Sequence, residues 1–73
     1  MKAIEITKDN REMLMSRYGS SDLEEFPIGY FLVAEFGDNG DPRLIGVLSY
    51  DNFIAQYVVG EALKNGFYSV TKI

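Results

Sequence analysis

An α+β domain with a four-stranded, mostly antiparallel sheet and two helices on one face is the fold this sequence predicts. Three features point to it. Two stretches, residues 28–36 and 43–50, alternate at the period of a strand and flank the turn-forming run Gly37-Asp38-Asn39-Gly40-Asp41-Pro42. Two others, 8–18 and 51–65, space apolar residues at the period of a helix. Short strand-like segments lie at 2–7 and 67–72.

In the strand over 2–7, Ile4 and Ile6 face one way and Glu5 and Thr7 the other. A helix over 8–18 follows, with Thr7 or Asp9 as the cap that accepts from its orphan amides. Met13, Leu14 and Tyr18 form its apolar stripe, Arg11 and Glu12 face water, and Gly19 suits the left-handed position that ends it. In the loop 19–27, Ser21 and Glu24 stand at capping-box spacing, which predicts one short helical turn. Pro27 closes the loop and holds Phe26 extended. Along 28–36, Tyr30, Leu32, Ala34 and Phe36 share one face and Phe31, Val33 and Glu35 the other. The return strand 43–50 carries Leu44, Ile45, Val47 and Leu48. A second helix over 51–65, capped by Asp51 or Ser49 and ended at Gly66, turns Ile54, Ala55, Val58, Val59, Ala62 and Leu63 to the sheet. Phe53 and Tyr57 then fall on its wet side. The last strand, 67–72, divides Tyr68 and Val70 from Phe67, Ser69 and Thr71. The resulting order, β-α-β-β-α-β, is that of a ferredoxin-like sandwich, and the short final strand leaves the strand order open.

Composition narrows the chemistry. The chain has 73 residues, enough for one domain over 1–73, and neither Cys nor His. Without them it lacks a thiol nucleophile, the commonest metal ligand and the commonest general base near neutral pH. No enzyme activity, metal or cofactor is therefore expected. Seven Lys and Arg against eleven Asp and Glu give a net charge of −4, which disfavours direct binding of nucleic acid and favours a basic protein surface. No stretch approaches the ~18 apolar residues of a membrane span. The opening Met1-Lys2-Ala3-Ile4-Glu5 lacks the apolar run of a signal peptide, so a cytoplasmic location is expected.

Each chemical motif has a plainer alternative. Asp22, Glu24 and Glu25 sit on a Ser-rich loop, where carboxylates are ordinarily solvated and do not form a catalytic pair. Asp38-Asn39-Gly40-Asp41 matches half of a calcium loop, but the pattern stops at Pro42 and reads as a hairpin turn. Gly37 and Gly40 fit no phosphate-binding signature. Binding is the stronger theme. Phe53 and Tyr57 lie one turn apart on the expected wet face of the second helix, where they are either interface anchors or, for one of them, folded back over the sheet edge or the first loop. Asp22, Glu24, Glu25 and Phe26 make either an acidic docking loop ending in an aromatic, which Asp38 and Asp41 extend if the fold brings them together, or a solvated loop with Phe26 tucked into the core. Both faces of the hairpin are apolar while helices cover only one, which leaves an exposed apolar surface or a free edge strand for a partner.

Three segments, "MKAIEITKDNREMLMSRYG", "FPIGYFLVAEFGDNGD" and "EALKNGFYSVTKI", resemble small early host-takeover proteins of bacteriophages. Within that class the chain resembles the RNA-polymerase-binding transcription regulators, of the kind found in a Xanthomonas phage. The resemblance implies a non-enzymatic regulator in the host bacterial cytoplasm. It would bind the polymerase β′ subunit near its N-terminus and inhibit σ-dependent initiation, with antitermination as a further effect; the small size of the domain separately suggests a monomer or weak homodimer. An acidic DNA mimic, or an anti-defence inhibitor of a nucleic-acid-binding enzyme, is the competing expectation.

Overall fold

The computed structural model describes residues 1–36 and 42–73. Its strands are β1 (Lys2–Glu5), β2 (Phe31–Phe36), β3 (Pro42–Leu48), β4 (Tyr57–Ala62) and β5 (Tyr68–Lys72); its helices are α1 (Arg11–Arg17) and α2 (Tyr50–Gln56). Two 3₁₀ turns, Leu23–Glu25 and Lys64–Gly66, complete it. The α+β class is as expected. The described sheet is antiparallel and has five strands in the order β3-β2-β1-β5-β4, one more than the expected four.

The fifth strand comes from the second half of the expected helix. α2 stops at Gln56, and residues 57–62 run alongside β5, with Tyr57 opposite Lys72 and Val59 opposite Val70. Tyr-Val-Val-Gly is a poor helical sequence: β-branched Val loses rotamer freedom in a helix and Gly costs about 1 kcal/mol against Ala. The same residues suit a pleated surface. Ile54, Val58, Val59 and Leu63, expected to pack on the sheet as a helical stripe, are therefore exposed.

The helices also lie on opposite faces of the sheet, where the ferredoxin-like reading had both on one. Ile4, Leu32 and Ala34 pack with Leu14 and Met15 of α1, together with Ile6, Phe26 and Phe67. Their strand neighbours Ala3 and Val33 point the other way and pack with Phe53, Tyr57 and Val70. This explains a hairpin strand that is apolar on both faces: Leu32, Val33 and Ala34 are all fully buried. The exposed apolar hairpin face expected from a one-sided helix layer is thus covered on β2.

Local chemistry accounts for the remaining boundaries. Thr7 and Asn10 bridge reciprocally, Thr7 N to Asn10 Oδ1 at 2.8 Å and Asn10 N to Thr7 Oγ1 at 3.3 Å, so α1 begins only at Arg11. Its inward residues are Leu14 and Met15, while Met13 is exposed. Arg11, expected to face water, is half-buried, and its guanidinium donates to the Leu23 carbonyl. Residues 27–30 form a turn in which Tyr30 N donates to Pro27 O at 3.2 Å and Gly29 takes φ +93°, as the third position of a type II turn requires. β2 accordingly starts at Phe31, three residues later than the alternation suggests. Ser49 caps α2, accepting from Asn52 N at 3.4 Å.

Candidate docking surface

The predicted contact residues divide into three sets. Asp22, Glu24 and Glu25 are exposed on the first 3₁₀ turn. Asp22, and not Ser21, caps that turn: its Oδ1 accepts from Glu24 N at 2.9 Å. Of the two placements open to Phe26, the structure takes the core: it is 1% exposed on the α1 side and is not presented beside these acids. The chain must cross back to the sheet here, and a Phe entering that layer closes its end. Asp38 and Asp41 lie outside the described residues.

Phe53 and Tyr57 are the third set, and both are buried, contrary to the expected wet helical face. With the chain extended after Gln56, Tyr57 no longer follows a helical turn from Phe53 and both rings meet the sheet. The Phe53 ring stacks on Phe31 at 4.5 Å with 5° between planes, and Tyr57 adjoins Phe53 at 5.8 Å. Lys72 Nζ stands 5.1 Å from the Tyr57 ring centre and donates to Gln56 Oε1 at 2.9 Å. The two aromatics do not form an exposed pair; Phe53, with Phe31 and Ala3, floors a cleft instead.

Above that floor is a cleft of about 180 Å³, walled by Tyr50, Ile54, Val59 and Tyr68. These four are 55%, 47%, 49% and 47% exposed. Each wall has a local origin. Tyr50 and Ile54 lie four residues apart on one side of α2. Val59 and Tyr68 come from adjacent strands, on the sheet face that also carries Val70 and Tyr57. Phe31, 5.9 Å from the Tyr50 ring, ties the helix wall to the sheet. Asp51, in the first turn of α2, is the exposed acid next to Tyr50.

Sequence reasoning missed all four cleft residues as contacts. The usable signal was Tyr-Val-Val-Gly: read as a strand, it puts Val59 on the same sheet face as Tyr57, beside an aromatic helix. The opposite sheet face carries a different hollow, in which Lys2, Arg17 and Lys64 converge. Among the described residues no group of three or more acids is placed to hold a metal, and no helix is long and apolar enough to cross a membrane. Comparison with protein-family models, with curated proteins and with solved structures finds no match to this chain.

Proposed function

We propose that this chain is a non-enzymatic docking domain that binds bacterial RNA polymerase through the α2-side cleft and thereby inhibits σ-dependent initiation. One observation carries the docking part: four half-exposed apolar side chains, Tyr50, Ile54, Val59 and Tyr68, surround a floor of stacked aromatics. Full burial of one such side chain is worth ~1.5–3 kcal/mol, so completing four half-burials yields roughly 3–6 kcal/mol. Association consumes ~4–15 kcal/mol of lost freedom. The cleft is therefore an anchor within a larger contact, and the net charge of −4 speeds encounter with a basic surface. The choice of polymerase as partner, and of the β′ N-terminal region, follows from the phage-regulator resemblance.

An acidic mimic of nucleic acid is less well supported. It needs one continuous anionic face, whereas Lys2, Arg17 and Lys64 gather on one side of the sheet and Asp22, Glu24 and Glu25 occupy a single short turn.

Immobilised chain titrated with purified bacterial core polymerase tests the proposal. Saturable binding is expected, weakened about tenfold or more by Ile54→Asp, a change at an exposed position that leaves the fold intact by circular dichroism. Loss of promoter-dependent transcription should track that binding. Absence of polymerase binding overturns the partner; equal binding by Ile54→Asp and Tyr68→Ala overturns the cleft.

A further inference from the structure

The described sheet ends in an edge strand on each side, β3 at one and β4 at the other. The two edges differ in what they offer. β3 begins at Pro42, which has no amide to donate, and Arg43 follows, whose charge discourages pairing with another strand. β4 reads Tyr-Val-Val-Gly-Glu-Ala, and every residue in it after Tyr57 is exposed.

The neighbours of β4 fix the direction of its backbone groups. A strand residue turns its N–H and C=O to one side, and successive residues alternate. Val70 N donates to Met1 O at 3.0 Å, on the β1 side of β5. Val59, opposite Val70 in β4, therefore turns its N–H and C=O away from the sheet. Tyr68, two residues before Val70 and paired with Ala3, has the same sense, so Ala62 opposite it also faces out. The bonds at either end keep this alternation, with Leu63 N donating to Phe67 O at 2.7 Å and Ile73 N to Gln56 O at 2.8 Å. A bulge at Gly60 and Glu61 separates the two outward residues, and Ser69 Oγ accepts from Glu61 N at 2.9 Å. Because of the bulge, Val59 and Ala62 share the sheet face of Val70 and Tyr68, while Val58 and Leu63 lie on the face of Phe67.

We propose that β4 pairs with β4 of a second copy of this chain, antiparallel across a twofold axis, to make one continuous sheet. The edge is self-complementary in one register. With Val59 opposite the partner's Ala62, the axis also sets Ala62 opposite the partner's Val59, and each pair exchanges both of its N–H···O bonds. The same register puts Val58, 57% exposed, against the partner's Leu63, 44% exposed, on the α1 face. Glu61 falls opposite the partner's Gly60, which has no side chain to obstruct it. A strand of six residues is about 20 Å long, so the contact covers roughly a few hundred Å² a side, against the ~1,000 Å² in total that a stable dimer needs. Each copy also carries a charge of −4. The dimer is therefore weak and reversible, and salt strengthens it by screening that repulsion. The pairing uses a backbone edge and needs no polymerase, so it and the docking reading can fail separately.

Sedimentation equilibrium of the full chain up to about 1 mM, at low and high salt, is the test. A reversible monomer–dimer equilibrium is expected, tighter at high salt. Ala62→Pro removes an outward amide at a position where the ring is tolerated because that N–H faces solvent, and the twofold axis loses the bond twice. Dimerisation should weaken about tenfold or more, with the fold intact by circular dichroism. Val58→Lys, an independent variant at an exposed position, should weaken it similarly even though it lowers the net negative charge. Leu44→Lys, which changes the charge equally on β3, should not weaken it. In a mixture of ¹³C-labelled and unlabelled chain, a nuclear Overhauser contact should join Val58 to the partner's Leu63. A chain that stays monomeric to about 1 mM at high salt overturns the proposal. So does growth beyond the dimer, dimerisation that Val58→Lys leaves unchanged or Leu44→Lys abolishes, or a dimer without the Val58 contact.

Discussion

Replacing Phe53 by alanine separates the buried-floor geometry from a solvent-facing one. Phe53 is 2% exposed, packed with Ala3, Val33, Tyr57 and Val70, and stacked on Phe31 at 4.5 Å. Core Phe→Ala changes cost ~3–5 kcal/mol through lost transfer energy and the cavity left behind. The near-parallel stack adds ~0.5–1.5 kcal/mol, which places the loss near the top of that range. For a chain of 73 residues, total stability at roughly 0.05–0.15 kcal/mol per residue is about 4–11 kcal/mol. Phe53→Ala should therefore remove about half of it or more. Urea unfolding at 25 °C, followed by far-ultraviolet circular dichroism, is the assay. With a slope near 1 kcal/mol/M, the low end expected for a small domain, the midpoint should fall by about 5 M. Ile54→Ala, one residue on and 47% exposed, should change stability by no more than about 0.5–1 kcal/mol. The reverse ranking, with Ile54→Ala costly and Phe53→Ala nearly silent, is the signature of a continuous helix over 51–65 and would refute the structural argument.

Gly60→Ala discriminates the same two arrangements by sign. In β4 the new Cβ meets Ser69 Oγ at 2.6 Å and displaces the hydroxyl that accepts from Glu61 N at 2.9 Å, so a loss of ~1–2 kcal/mol is expected in the same urea assay; in an exposed helix the change would stabilise by about 1 kcal/mol. Asp22→Ala should cost ~1 kcal/mol through the lost cap on Glu24 N, whereas Glu24→Lys with Glu25→Lys should stay within about 0.5 kcal/mol, both read by thermal melting.

Much of the fold was legible because local chemistry and alternation agree along most of the chain. Ile4 and Ile6, then Leu32 and Ala34, fall on the side that their period of two assigns, and Val70 opposes Phe67 across β5 as expected. Ser49 caps α2 as its position suggests. The site was far less legible. Asp22, Glu24 and Glu25 were correctly placed in solvent, since a charged loop has little reason to be elsewhere. Phe53 and Tyr57 were misplaced, and Phe26 was left open between solvent and core, because an aromatic on a short element is drawn to whichever layer has room, and that is a property of the assembled layers.

By itself, the order of residues determined the α+β class, the apolar faces of β1 and β2, and the absence of thiol and imidazole chemistry. Tertiary structure decided the state of residues 57–62 and the side on which α2 lies. Those six residues carry periodicities compatible with helix and strand alike, separated by only a few kcal/mol of intrinsic preference. The free edge of β5 offers backbone partners and a half-built apolar face, and long-range pairing with it outweighs that small local difference. Once β4 forms, the chain after Gln56 is extended, Phe53 and Tyr57 turn inward, and Ile54, Val59 and Tyr68 are left standing around Phe53.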